Sequence, residues 1–304
     1  MDFYKKVIKN KHLRFKILSA LSFVPDKAML KVQYKIKTGR KLNLKNPKRY
    51  TEKLQWYKLY YRDPVMKQCA DKYMVREFIK SKGLEFILND LYAKFDSPED
   101  ISFETLPDQF VMKLSNGSGS NLFCRDKNKL NLEDVKKDFR LFYAQNSAVA
   151  GREWVYQTDK KPVIVVEKFL DDPETQKDGI YDYKFICFGG IPQYVVCDVS
   201  RFLNHRRNIY DMDWNNLHIG TDCPCSDDLI PRPEKLEEMK EIVKILAKEF
   251  PSVRVDLYLV RDRIYFGELT FFPWSGYVIY DPDSFDFEAG EKFILPEANN
   301  TKVK

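Results

Sequence analysis

The spacing of apolar residues changes along the chain, from helical in the first third to alternating or continuous in the remainder. Phe3, Val7, Ile8, Phe15, Leu18 and Leu21 recur at roughly helical intervals and predict an amphipathic helix over 2–20. A second is expected over 27–37, beyond Pro25. Asn46-Pro47 breaks the pattern, and Thr51 is placed to cap a helix running through Trp56 and Tyr60. Another helix is expected from Lys72 to about Lys82, where Gly83 ends it. Pro98 and Pro107 bracket a passage that reads as loop.

From Phe110 the pattern becomes strand, turn, strand. Residues 110–113 and 122–125 read as short strands, and Asn131 caps a helix with Leu132, Val135, Phe139 and Phe142 on one face. A continuous apolar run over 163–166 ends at Glu167-Lys168-Phe169-Leu170, and 183–188 and 194–199 form strands joined at Gly189-Gly190. Pro233 opens a helix with the stripe Leu236, Met239, Val243, Leu246 and Phe250. Two further strands flank the turn Arg261-Asp262-Arg263, and a polar tail follows. No internal repeat is visible. The reading is α+β, a helical N-terminal third followed by a mixed sheet.

At 304 residues, with 44% hydrophobic and 14% aromatic content, the chain can build a packed core and has room for two domains. No apolar run reaches the roughly 18 residues of a membrane span, and the charged start Met1-Asp2-Phe3-Tyr4-Lys5-Lys6 does not read as a signal peptide. The six cysteines are scattered, which suits reduced thiols in the cytoplasm, and three histidines are too few and dispersed for a zinc site. No Ser/His/Asp or Cys/His signature stands out. The charge of +6 is uneven: residues 1–53 hold 16 Lys/Arg against 3 Asp/Glu. Such an arm suits nucleic acid, an anionic membrane surface or an acidic polymer, or is simply a solvated face.

Candidate chemistry concentrates in four places. In the last hairpin, period-two alternation puts Arg254 with Asp256, and Glu268 with Thr270, on one face. Two carboxylates amid apolar strands imply a cation such as Mg²⁺, or else a structural Arg–Asp–Glu network. Lys113 precedes a loop of Asn116, Gly117, Ser118, Gly119 and Ser120, whose amides and hydroxyls suit phosphate and equally suit an ordinary hairpin turn. Glu167, Lys168, Phe169 and Leu170 end a buried strand and suit a hinge beside a flat heteroaromatic ring, or a solvent-facing strand end. Arg201, His205, Arg206 and Arg207 suit a polyphosphate or acidic substrate, or equally a solvated basic loop. Asp211 and Asp213 carry the Asp-x-Asp spacing that many glycosyltransferases use to hold a metal and a nucleotide sugar, which leaves that class open.

The order lysine–glycine loop, Glu-Lys-x-Leu, Arg-Val-Asp, Glu-x-Thr resembles the ATP-grasp superfamily and its D-alanine–D-alanine ligase pattern. It departs at Thr270, where asparagine is usual. From about residue 40 to 290 the chain is closer still to the TupA-like ATP-grasp family of polysaccharide and teichuronopeptide biosynthesis. The strings that carry the likeness are Thr51-Glu52-Lys53-Leu54-Gln55-Trp56, Asp71-Lys72-Tyr73-Met74-Val75-Arg76, Asp182-Tyr183-Lys184-Phe185 and Gly267-Glu268-Leu269-Thr270-Phe271-Phe272-Pro273.

The resemblance implies an ATP-grasp fold: a helical basic region over 1–105, a small subdomain over 106–170, a large subdomain over 171–295, and a tail over 296–304. It implies an ATP- and Mg²⁺-dependent carboxylate–amine ligase, acting through an acyl-phosphate on an acidic glycan or uronic acid with an amine or amino acid. Lys113, the loop residues, Glu167, Lys168, Phe169, Leu170 and Lys184 would hold the nucleotide. Asp256, Glu268 and Thr270 would hold Mg²⁺, and Arg254, with Arg201 or Arg206, would serve catalysis. Nucleic acid is not an expected partner. The expected location is the cytoplasm, with peripheral contact at the inner membrane face through the basic arm.

Overall fold

The computed structural model describes residues 17–18, 20–117, 119–144, 151–157, 161–171, 180–199, 205–226 and 230–300. The expected helix over 2–20 therefore falls almost entirely outside the described residues. In chain order the elements are α1 (Asp26–Thr38), α2 (Tyr50–Tyr60), α3 (Pro64–Ala70), α4 (Val75–Ser81), β1 (Leu91–Phe95), β2 (Phe110–Leu114), β3 (Asn121–Cys124), α5 (Leu132–Ala144) and β4 (Ile164–Lys168). There follow β5 (Asp182–Phe188), β6 (Ile191–Val199), β7 (Arg206–Tyr210), α6 (Leu236–Ala247), β8 (Ser252–Val260), β9 (Arg263–Thr270) and α7 (Ser284–Lys292). The chain divides into two compact units, one of Asn10–Ser22 and Asp63–Leu170, the other of Met1–Lys9, Phe23–Arg62 and Asp171–Lys304.

The first unit holds a four-stranded sheet in the order β1-β4-β2-β3, with each described pairing antiparallel. Alternation sorts its two faces. Phe110, Met112, Leu114, Ile164 and Val166 join Val135 and Phe139 of α5 in one core. Val111, Lys113, Val165 and Glu167 take the other face. As expected, Asn131 caps α5, its Oδ1 accepting from Asp134 N at 3.1 Å.

The second unit holds a five-stranded sheet in the order β7-β6-β5-β8-β9, again antiparallel throughout. The expectation of a mixed sheet is thus corrected: short reversals link most neighbouring strands, and such links enforce antiparallel pairing. Helix α6 packs across β5, β6 and β8 with Leu236, Met239, Val243 and Leu246 buried. On the face carrying the even-numbered residues of β5, Phe188 meets Tyr50 of α2 and stacks on Phe293 just past α7, while Tyr194 of β6 meets Phe285. Aromatic packing thus fills that end of the face.

Two helix starts differ from expectation. Arg49, not Thr51, stands at the N-cap of α2. A buried carboxylate has claimed Thr51: its N and Oγ1 both donate to Asp286 of α7, at 3.0 and 2.7 Å. Helix α4 begins at Val75 rather than Lys72, because Asp71 Oδ1 accepts from the amides of Tyr73 and Met74, both at 2.9 Å, and turns the chain there.

Candidate functional site

In the second unit the register of β8 on β9 sets Arg254 opposite Thr270 and Asp256 opposite Glu268. Directly opposed residues share a face, so the four side chains converge. The register then slips, Leu257 facing Phe266, which makes Gly267 the extra residue of a bulge. A Cβ on Gly267 would lie 3.0 Å from the Asp256 carbonyl oxygen, so glycine lets the bulge close against that residue.

Cross-strand pairing extends the polar row. Lys184 of β5 lies opposite Asp256, Asp182 opposite Asp198 of β6, and Asp198 opposite Arg207 of β7. Arg254 holds Asp256 in a two-point fork, Nε to Oδ1 and Nη2 to Oδ2, each at 2.7 Å. The same Nη2 reaches Glu268 Oε1 at 2.8 Å and Thr270 Oγ1 at 3.2 Å, and Thr270 Oγ1 donates to Glu268 Oε1 at 2.8 Å. Lys184 Nζ is ion-paired with Asp182 and lies 3.5 Å from Asp256 and 3.6 Å from Asp198. Arg207 Nε donates to Asp198 Oδ1 at 2.7 Å, and His205 Nε2 lies 3.0 Å from the same oxygen. The Trp274 ring lies 5.0 Å from the Arg207 guanidinium and 5.8 Å from that of Arg254.

Among the described residues Asp182, Asp198, Asp256 and Glu268 of this face thus meet Lys184, Arg207 and Arg254. Asp256 and Glu268, with the Thr270 hydroxyl, offer the hard oxygen donors that Mg²⁺ takes. Glu268 is the accessible member, its side chain 38% exposed against 3% for Asp256. Burial pushes the Asp256 carboxyl up to about 6, against the pull of Arg254 and Lys184. Asp198 moves the other way: burial opposes its charge, but Arg207 and Lys184 outweigh that and hold it below the usual carboxylate range. Burial also works against Arg254, and Asp256 and Glu268 more than compensate, raising its pKa.

Not every expected residue joins the row. Arg206 falls on the opposite face by alternation, so Arg207 is the arginine that β7 contributes. Arg201 lies outside the described residues. Asp211 closes a turn instead of pairing with Asp213: it accepts from the amides of Asp213 and Asn215 at 2.9 and 2.8 Å and from Asn215 Nδ2 at 2.8 Å.

In the first unit, Lys113 Nζ meets Glu167 Oε2 at 2.9 Å on the face away from α5, and Arg76 Nη1 lies 3.4 Å from Glu167 Oε1. Arg76 also donates to Asn89 O at 2.9 Å, and Asn89 Nδ2 donates to Lys168 O at 2.8 Å, which fixes the end of β4. Lys168 itself points toward Asp90, at 3.5 Å. Beyond the strand, Phe169 packs edge-on to Phe123 at 6.5 Å with the Arg125 guanidinium 4.9 Å from its ring, and Leu170 follows, half-buried.

The glycine loop joins β2 to β3, with Gly117 and Gly119 at φ +76° and +78°, where a side chain would be strained. Its base is Ser115, whose Oγ donates to Asp71 Oδ2 at 2.6 Å and accepts from Val163 N at 3.1 Å. Lys72 Nζ holds Gly117 O at 2.7 Å. Asn116 and Ser120 belong to the same loop, and Ser118 lies outside the described residues.

Sequence reasoning gave no role to Asp71, Lys72, Arg76 or Ser115, nor to Asp182, Asp198 or Trp274, and it named Arg207 only within the basic cluster of Arg201, His205 and Arg206. For Asp71, Lys72, Arg76 and Asp182 the signal was present in the family strings. That Arg207 rather than Arg206 joins the row required the strand register.

A search of curated proteins returns no match. Among solved structures the chain is similar to D-alanine–D-alanine ligase from Bacillus anthracis, at 17% identity and TM-score 0.42, over 67% of this chain and 57% of that one. It is also similar to D-alanine–D-alanine ligase from Helicobacter pylori, at 15% identity and TM-score 0.43, over 79% and 67% of the two chains. Phosphoribosylamine–glycine ligase from Thermotoga maritima matches at 13% identity and TM-score 0.43, over 77% and 58%. The chain thus spans between about half and two thirds of the length of these ligases. The family model described as TupA-like ATPgrasp matches residues 52–294, which covers both the hairpin carboxylates and the glycine loop, and the chain belongs to that family.

Proposed function

We propose that the protein is an ATP-dependent carboxylate–amine ligase that modifies a bacterial surface polysaccharide or its precursor. The single observation that carries this reading is the cross-strand pair Asp256–Glu268 on one sheet face, with Arg254 bonded to both. Family membership and the oxygen donors gathered on that face support it.

In this reading Asp256 and Glu268, with Thr270, would hold Mg²⁺, which when bound would neutralise nucleotide phosphate charge. Lys113, the amides of the glycine loop, Glu167 and Lys168 would bind ATP, with Phe169 and Leu170 against the base. A substrate carboxylate attacks the γ-phosphorus and ADP departs, giving an acyl-phosphate. An amine then attacks the acyl carbon and inorganic phosphate leaves with the formation of an amide. Both reactants of the first step are anions, so positioning and charge neutralisation must supply most of the acceleration. Arg254 carries the permanent charge for that task, with Arg207 at the other end of the row in place of Arg206.

The acceptor we propose is an acidic glycan or uronic acid, and the second substrate an amine or amino acid. The basic first 53 residues favour an acidic, lipid-linked acceptor held at the cytoplasmic face of a membrane. Among the described residues no helix is long and apolar enough to cross one.

The reading is tested by measuring ADP and phosphate release while amino acids are screened against uronate-containing glycans, with mass detection of the product. Release that requires both a carboxylate and an amine supports it. Transfer from a nucleotide sugar without ATP consumption would replace it with a glycosyltransferase.

A further inference from the structure

Helix α2 carries polar residues that the chemistry above does not use, yet Thr51, Glu52, Gln55 and Lys58 are all buried. Such residues are retained inside a fold only when other segments satisfy them. Gln55 Nε2 donates to Ser275 O at 3.0 Å and to Gly276 O at 2.9 Å. Lys58 Nζ donates to Ser275 O at 2.9 Å and Ser275 Oγ at 2.8 Å, between the rings of Tyr277 at 5.0 Å and Phe272 at 5.6 Å.

The segment they grip is unusual. Trp274 and Ser275 have φ of +48° and +56°, the left-handed region that side chains disfavour, and Gly276 follows at +66°. Strained backbone persists where its surroundings over-determine it, and it clusters at functional sites. Here the surroundings are two buried side chains from α2, and a Cβ on Gly276 would collide with Gln55 Nε2. The turn in turn carries Trp274, whose ring lies 5.8 Å from the Arg254 guanidinium and 5.0 Å from that of Arg207.

We propose that Lys58, assisted by Gln55, is a positioning residue: it fixes the Trp274–Ser275–Gly276 turn, and Trp274 then sets the guanidinium groups of Arg254 and Arg207 over the carboxylate row. The ammonium of Lys58 needs acceptors in the interior and the turn's carbonyls need donors, so each satisfies the other. The effect on turnover rests on the ligase reading, in which a shift of about 1 Å at Arg254 reduces rate by roughly 10²-fold.

The test uses Lys58→Met, which keeps the stem packed against Phe272 and Tyr277 and removes the donor. Protein labelled with 5-fluorotryptophan carries four probes, Trp56, Trp154, Trp214 and Trp274, and the last is assigned by its loss in Trp274→Phe. The Trp274 resonance is expected to shift in Lys58→Met while those of Trp154 and Trp214 stay. ADP release is expected to fall by about 10²-fold with MgATP affinity held within about twofold. Adding Ser275→Gly should restore much of the rate, because glycine takes positive φ unaided. An unmoved Trp274 resonance in folded Lys58→Met overturns the proposal, as does lost activity that Ser275→Gly fails to rescue. If Lys58→Met does not fold, Gln55→Met gives the same readout, and an unmoved resonance there is equally fatal. A wild-type protein that neither binds MgATP nor releases ADP refutes the ligase reading, and the fluorine result still decides the clamp.

Discussion

Glu268→Gln separates a metal-holding carboxylate from a merely structural one, because the two roles differ in magnitude at this position. The substitution keeps shape and removes one negative charge. In the folded protein Glu268 meets Arg254 Nη2 and Thr270 Oγ1, both at 2.8 Å, and its side chain is 38% exposed. At that separation Coulomb's law gives about 6 kcal/mol at an effective dielectric of about 20, and about 1.5 kcal/mol in water. Exposed pairs retain only about 0–1 kcal/mol of this after desolvation and side-chain ordering, and exposure above a third places Glu268 in that class. Arg254 also keeps its fork on Asp256. The melting temperature should therefore fall by less than about 3 °C. A lost metal ligand costs far more: MgATP affinity should drop by at least about 100-fold, or about 2.7 kcal/mol. Thermal melts in the absence of nucleotide and calorimetric titration with MgATP give the two numbers. A melt lowered by about 10 °C, with MgATP affinity of the folded protein unchanged, would show that Glu268 serves the fold and that the site assignment is wrong.

Further outcomes are expected. Gly290→Ala should unfold or precipitate the protein, since its Cβ would fall 2.8 Å from Tyr50 N and even closer to Lys48 O, both backbone atoms that cannot yield. Near-normal expression and an unchanged melt would contradict this. Asp198 is held below its ordinary value of 3.8 in the folded state, so the folded form binds its proton less readily than the unfolded one. Its contribution is complete above that value and is lost as pH falls through the lower folded value, so Asp198→Asn should flatten the acid limb of a urea-unfolding series from about pH 5 to about pH 2. An acid limb as steep as that of the wild type would refute this. Lys31 and Lys35 are exposed on α1, and Lys31→Glu with Lys35→Glu should weaken co-sedimentation with anionic vesicles at low salt, leaving neutral vesicles unaffected. Equal binding by both proteins would remove the first helix from the membrane proposal. Truncating residues 1–40 is a poorer test, because Leu30 and Tyr34 belong to a buried core and would be lost with the arm.

The last hairpin was legible because two strong signals coincide there: period-two alternation and charged residues within apolar runs. Strand β7 was not, since Arg206-Arg207-Asn208 reads as a solvated loop until Asp198 across the ladder supplies its partner. The short β1 was hidden differently. Its alternation is present, but Tyr92 and Lys94 face outward between the half-buried Leu91, Ala93 and Phe95, and a strand of five residues gives little contrast. Helix α7 escaped because its buried members include an aspartate and a glycine, Asp286 and Gly290. Thr51 was identified as important but for the wrong bond, since a helix cap is a local inference and Asp286 lies 235 residues away. At the site, residue types and faces came from sequence, whereas the bond partners of Lys184 and Asp198 required four strands to be laid side by side.

The interior of α2 bears on how the chain would tolerate redesign. Lys53 reaches the carbonyls of Gly290 and Phe293, while Gln55 and Lys58 reach those of Ser275 and Gly276, so one eleven-residue helix fastens the end of α7 and a distant loop by reading main-chain oxygens. Main-chain oxygens are indifferent to which amino acid bears them. Apart from the crowded Gly276 and Gly290 and the Ser275 hydroxyl, these bonds place no demand on the side chains of the segments they hold, while the helix that makes them cannot change, and a procedure that assigns polar letters to the exterior would repaint the fastener first.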